Sequence, residues 1–238
     1  MKIKYNGTIL DNYMTITNIQ GLGMPSTKDN EGEFDVFDGE YYEGTYFEGR
    51  VITLDYTMFR TVDKNIYQRL DEMKRILAPL GEKKLEFDCY PDRHLLARYS
   101  GKMDWSQFAT VQNGVITFKC SCPFFIANED KKMTLSDTTT VNNNGTYKTD
   151  RMKINFSLGA NERYTISNNT TGKTLIIQND ANAKDIYVDF KYAKLTNSTQ
   201  TTSYDKYYSA GTFFDLMPGE NEIYVSHDTT FSFTELYL

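Results

Sequence analysis

The stretch Ile116-Thr117-Phe118-Lys119-Cys120-Ser121-Cys122 sets an apolar side chain at every second position. A period of two belongs to a strand with one buried face. A helix would repeat its apolar positions about every 3.6 residues. The same reading extends outward along the chain. Ile52, Leu54, Tyr56 and Met58 alternate within Val51–Phe59. Met152, Ile154, Phe156 and Leu158 interleave with Lys153, Asn155 and Ser157, and Ile186, Val188 and Phe190 repeat the pattern. Each predicts a half-buried strand. One segment has helical spacing instead: Ile66, Leu70, Met73, Ile76 and Leu77 trace a single face between Val62 and Leu80. Asp63 is placed to cap its start, and Pro79 with Gly81 to end it. The fold class is therefore mainly β with one α-helix.

The chain has 238 residues, which predicts one or two domains able to build a core without disulfides or metal. Its 26 Lys and Arg against 32 Asp and Glu give a net charge of −6. That argues against a general nucleic-acid binder with a basic face and against a protein held on anionic lipid by charge. The 18 Tyr and 15 Phe, with five Pro, suit many strands rather than disorder. Composition shifts near residue 133. Of 28 Thr, 18 lie after it, while charged residues fall from 37 before it to 21 after it. This predicts a domain of residues 1–133 that contains the helix. An all-β domain of residues 134–238 follows, with turn signals at Asn168-Asn169, Gly172, Asn179-Asp180 and Pro218-Gly219. No apolar run approaches the ~20 residues of a membrane helix, so no membrane insertion is expected. The three cysteines, an odd number, and the polar start Met1–Gly7 point to folding in a reducing cytoplasm.

Residues suited to catalysis are few. Cys89 and His227 could be drawn as a nucleophile pair, but no third group stands at a spacing that would orient them. No Gly-x-Ser-x-Gly, phosphate-loop or His-Glu-x-x-His pattern occurs. Cys89, His94, Cys120 and Cys122 could be named as zinc ligands. Cys120 and Cys122, however, stand two apart on a predicted strand, too close to wrap a metal. Asp29-Asn30-Glu31-Gly32 and Asp35-Val36-Phe37-Asp38-Gly39 lack the alternation of a calcium loop. No catalytic, metal or cofactor site is expected, and the chain does not read as an enzyme.

One segment stands out from the strands. Residues 29–49 carry eight acids and no Lys or Arg, interspersed with glycine and with Phe34, Phe37, Tyr41, Tyr42, Tyr46 and Phe47. Long ordered loops are uncommon unless they serve a function. Two readings follow: an extended arm that orders against a partner, or a hairpin with a solvated acidic face. In the first, the aromatics pack on a neighbour while the acids point to water. The interface or channel candidates are Asp29, Glu31, Glu33, Phe34, Asp35, Phe37, Asp38, Tyr41 and Tyr42.

The linear order of motifs adds to this. A strand begins at Gly49-Arg50-Val51-Ile52, and the helix follows it. Pro91-Asp92-Arg93 then leads into Ala97-Arg98-Tyr99, Gly101 and Asp104-Trp105, and a later strand closes on Cys122-Pro123-Phe124. In the second half come Asn143-Asn144-Gly145-Thr146-Tyr147, Gly172-Lys173-Thr174-Leu175 and Leu216-Met217-Pro218-Gly219-Glu220-Asn221. This order resembles the distal tail (Dit) proteins of long-tailed bacteriophages, over essentially the whole chain. Arg151 or Met152 stands where many relatives have a proline.

The resemblance implies an N-terminal, ring-forming β-sandwich domain with one helix and a C-terminal galectin-like β-sandwich. It implies a homohexamer, as one ring or two stacked rings, between the tail tube protein and the tail-tip and receptor-binding proteins. DNA would pass through without specific binding. The place implied is the virion, with assembly in the host cytoplasm. The alternative function is a carbohydrate-binding β-sandwich module. Against it, the single Trp, Trp105, lies in the first domain.

Overall fold

The computed structural model describes residues 1–33, 40–101, 111–159, 161–178, 185–197 and 208–238. The chain divides into two compact units, one of residues 1–126 with Leu238 and one of residues 127–237.

The first unit holds β1 (Ile3–Tyr5), β2 (Thr8–Ile9), β3 (Thr15–Gln20), β4 (Thr27–Glu33), β5 (Glu40–Phe47), β6 (Arg50–Phe59), α1 (Ile66–Leu77), β7 (Lys83–Phe87), β8 (Tyr90–Tyr99) and β9 (Val111–Cys120). The strand β10 (Phe125–Ala127) follows them. Hydrogen bonding runs in the order β2-β1-β7-β8-β9-β6-β3. The long strand β8 serves two neighbours. Its residues up to Ala97 pair with β7, and Arg98 and Tyr99 pair with β9. A strand that changes partners in this way turns the corner between two layers. Ile3, Tyr5, Leu85 and Leu95 from one side of the corner and Ile52, Leu54, Ile116 and Phe118 from the other are all fully buried. The Tyr5 and Phe118 rings meet between them, their centroids 4.7 Å apart.

The expected alternation in β6 holds, with Ile52, Leu54, Tyr56 and Met58 all facing inward. In β9 it holds through Cys120. The strand stops there, and Cys122 lies beyond it, half-buried, just before Pro123, which has no N–H to donate to a ladder. The helix spans its apolar pattern from first residue to last, Ile66 to Leu77, and is shorter than the Val62–Leu80 stretch that frames it. Asn65, not Asp63, caps it: the Asn65 side chain accepts from the Gln68 N–H at 2.9 Å, and the Gln68 side chain accepts from the Asn65 N–H at 3.0 Å. This reciprocal box satisfies two orphan donors that Asp63, two residues upstream, cannot reach together. Ile66, Leu70, Met73 and Leu77 form the buried face.

The second unit holds β11 (Lys131–Asn143), β12 (Met152–Ser157), β13 (Arg163–Asn168), β14 (Lys173–Gln178), β15 (Asp185–Asp189), β16 (Lys194–Asn197), β17 (Tyr208–Gly211), β18 (Gly219–Phe233) and β19 (Leu236–Tyr237). Two long strands, β11 and β18, organise it. They pair along their whole length, except that the register slips between Leu135/Thr229 and Asp137/Val225. Asp137 takes a positive φ of 51° at that point. Such a bulge bends and twists both strands. On one side of the bend β18 continues the sheet through β12, β15 and β16; on the other it continues through β13, β14 and β17. The two halves therefore face each other as a sandwich sharing one bent ribbon. Their inward residues form a single core that includes Ile154, Phe156, Val188, Ile166, Leu175, Ile177, Val225 and Phe231. Phe156 of one sheet stacks on Tyr164 of the other at 3.6 Å with planes 5° apart. The buried Tyr164 hydroxyl bonds Thr229 Oγ1 at 2.7 Å.

Candidate interaction site: the hairpin arm

The acidic segment forms an antiparallel hairpin of β4 and β5, pairing from Thr27↔Phe47 to Glu33↔Glu40. Among the described residues this two-stranded sheet pairs with no other strand. The hairpin of the second reading is thus present. Of the nine candidate residues, Asp29, Glu31 and Tyr42 are exposed on its surface. Glu33 and Tyr41 take part in the backbone ladder. Phe34, Asp35, Phe37 and Asp38 lie outside the described residues, as do Asp104, Trp105 and the turn at Asn179-Asp180.

Side chains along the arm do not sort into an aromatic face and an acidic face. Thr45 Oγ1 donates to Asp29 Oδ1, and the Tyr42 hydroxyl lies 2.7 Å from the same Thr45 oxygen. Acid and aromatic ring therefore share one side. On the hairpin, Asn30 Nδ2 also donates to Glu43 Oε2 at 2.6 Å. Register decides the matter: Glu31 and Tyr42 stand directly opposite each other, so their side chains leave the same face. Tyr42 and Tyr46 are 60% and 52% exposed.

The base of the arm is rigidly held. Arg50, 3% exposed, donates from Nε to the Pro123 carbonyl at 2.8 Å. Its Nη1 donates to the carbonyls of Gly21 at 3.0 Å and Gly23 at 2.6 Å. The guanidinium also lies over the Phe125 ring at 5.1 Å. Burial lowers its pKa, and the nearby Cys120, Tyr90 and Cys122 oppose that shift. Gly21 sits at φ +91°, and a Cβ there would fall 2.0 Å from the Val51 carbonyl oxygen. Only glycine lets the chain entering the arm cross β6 so closely. Phe47 packs edge-on against Phe124 at 5.6 Å, and the Glu48 N–H donates to the Ser26 carbonyl at 2.9 Å. Sequence reasoning missed Arg50, because its acceptors come from positions 21, 23 and 123 and no local pattern joins them.

The residues weighed for chemistry do not converge. Among the described residues no group of three His, Cys, Asp or Glu side chains could hold a metal. Cys89 is exposed, Cys120 is buried, and burial pushes the Cys120 thiol up to about 12. His227 lies in the second unit, 2.9 Å through Nδ1 from the Ser226 hydroxyl. Among the described residues no helix is long and apolar enough to cross a membrane.

Two family models match the chain. The phage tail protein RIFT-related domain matches residues 7–120, and the C-terminal domain of the siphovirus-type tail component matches residues 144–237. No curated protein sequence matches. Among solved structures, the Dit protein of phage SPP1, titled a paradigm of the hub adsorption apparatus in phages infecting Gram-positive bacteria, shares the fold. Its TM-score is 0.83 at 18% identity, over 100% of this chain and 99% of that one. The phage p2 baseplate in its activated conformation with Sr aligns at a TM-score of 0.46 and 10% identity, over 98% of this chain and 97% of that one. One matched domain lies on each compact unit. The chain belongs to the siphophage distal tail (Dit) proteins, structural components of the phage tail and not enzymes.

Proposed function

We propose that six copies of the chain close into a ring through the domain of residues 1–133, with the domain of residues 134–238 outside it. The ring joins the tail tube protein to the tail-tip and receptor-binding proteins and lets DNA pass without specific binding. It assembles in the host cytoplasm. The observation that supports this reading best is the arm: a hairpin clamped at its base by Arg50, paired with no other strand among the described residues, and exposing Tyr42 and Tyr46. Such an element is stable in isolation only at the margin, and a neighbour's surface is its natural support. A head-to-tail contact of this kind closes when the rotation between copies divides the circle. The exposed acids Asp29, Glu31 and Glu43 then face the neighbour's edge or the channel, where they repel the DNA backbone.

Light scattering on the full chain tests the ring. A mass of six or twelve times the 27.5 kDa protomer is expected. Replacing residues 28–46 by a short Gly-Ser linker should leave a folded monomer. A full chain that stays monomeric at micromolar concentration, or an armless variant that still forms the ring, overturns the proposal.

A further inference from the structure

The outward face of the sheet β16-β15-β12-β18 carries an organised set of polar groups. Register aligns Lys194, Asp189 and Lys153 in one cross-strand row. The next row holds Thr196, Tyr187, Asn155 and Thr230. A groove of about 560 Å³ runs across these rows. At its floor Asn155 Oδ1 is buried and accepts no hydrogen bond. Tyr187 beside it is 43% exposed. Asp189 stands between two lysines, yet among the described residues neither Lys153 nor Lys194 closes an ion pair with it. A smaller recess of about 160 Å³ shares Lys153 and Asp189 and adds Arg151 and Lys191. Cations thus outnumber acids on this face of a chain whose net charge is −6.

We propose that this face binds an anionic, hydroxyl-rich polymer, a glycan or polyol chain bearing phosphate or carboxylate groups. The lysines are point charges on flexible stems, suited to anions spaced along a chain. The Asn155 amide and the threonines answer hydroxyls. The Tyr187 ring offers a flat apolar surface to the C–H face of a sugar. An acidic polypeptide fits less well. Peptides commonly dock by adding a strand at a sheet edge. The edge of this sheet is β16, at one side of the groove, whereas the strands beneath most of the groove, β15, β12 and β18, are paired on both sides.

Calorimetry on the full chain at low salt tests the site with four probes: oligogalacturonate, phosphorylated mannan oligosaccharide, neutral mannan oligosaccharide and poly-L-glutamate. One or both anionic glycans should bind, more weakly as salt rises. The neutral mannan and the polyglutamate should bind at least about tenfold more weakly. The carboxylate and phosphate probes decide between the two anion sources. The double variant Lys153→Gln/Lys194→Gln, and separately Asn155→Ala, should each weaken binding about tenfold or more. Lys173→Gln, exposed on the opposite sheet, should leave binding unchanged. Binding of neither anionic glycan overturns the proposal. So does equal binding of the neutral mannan, or undiminished binding by the lysine double variant. Polyglutamate binding as tightly as the glycans would make an acidic polypeptide the occupant and overturn it too. Ring mass measured on the same samples is a separate readout, so failure here leaves the ring reading untouched and the reverse also holds.

Discussion

Arg50→Met keeps the apolar stem over Phe125 and removes three hydrogen bonds to the carbonyls of Gly21, Gly23 and Pro123. Each is made by a charged donor, and the acceptors are left partly buried. The expected cost is about 2–4 kcal/mol in urea unfolding, with faster protease cutting near the base of the arm. A loss below about 1 kcal/mol would mean that the Phe47–Phe124 contact holds the base instead. Glu235 makes a second residue-scale case. It is 6% exposed, and its oxygens meet Lys131 Nζ at 2.6 Å, the Tyr237 hydroxyl at 2.8 Å and the Asn144 N–H at 2.8 Å. Burial pulls its pKa up, and these partners together hold it below the ordinary value. A depressed carboxylate stabilises the fold above its unfolded pKa of about 4.3 and loses that contribution as pH falls through the native value. Glu235→Gln should therefore cost about 1–3 kcal/mol at pH 7. The difference in melting temperature from the parent should shrink as the pH is lowered below about 4. A difference that stays constant from pH 7 to pH 3 would remove the carboxylate from the stability account.

At the scale of elements, the strands were legible because half-burial writes itself into alternate residues. Ile154, Phe156 and Val188 could hardly face anywhere but inward. The arm was legible only in part. Its composition announced an unusual segment, but its hairpin register depends on a bulge between Asn30 and Glu31 that shifts which acid meets which aromatic. A one-residue slip changes every facing pair, and the segment's turn signal, Asp38-Gly39, does not by itself place the bulge. The motifs that carried the family resemblance now have a physical meaning. Asn143, Asn168 and Asn221 are fully buried. Their amides donate to the carbonyls of Leu216, Asp215 and Met217, tying the segment before β18 to the sandwich. Gly145 must lack a side chain because a Cβ would fall 2.5 Å from the Leu236 carbonyl oxygen. Loose motifs in the sequence thus mark one polar cluster in space. The groove over Asn155 was not legible at all. Its rows draw on four strands between residues 153 and 230, and only register brings them together.

At the scale of the whole molecule, charge on the arm is the property that a ring would multiply. Eight carboxylates among residues 29–49 repel one another within each copy, and in the proposed ring, with the arms lining the channel, closure would bring those of all copies near a common axis. Such crowding is tolerable where water and ions screen it over about 8 Å at physiological salt, as in a wide channel, and not in a dry interface. An acidic lumen also denies DNA phosphates any place to bind, so a passing genome slides. Replacing Glu31, Glu33, Asp35 and Asp38 by Lys adds eight charges, which neutralises the eight acids of that segment and takes the chain from a net charge of −6 to about +2, while leaving Arg50 and the buried core untouched. The variant should still give the parent's mass by light scattering and the parent's melting temperature within a few degrees. It should also bind duplex DNA at about 50 mM salt and release it steeply as salt rises, because each phosphate neutralised frees a counterion. The parent ring should show no such binding. If the variant ring keeps its mass and gains no DNA affinity at low salt, the arms do not line the channel. Their acids then lie on the outer surface or against the neighbouring copy.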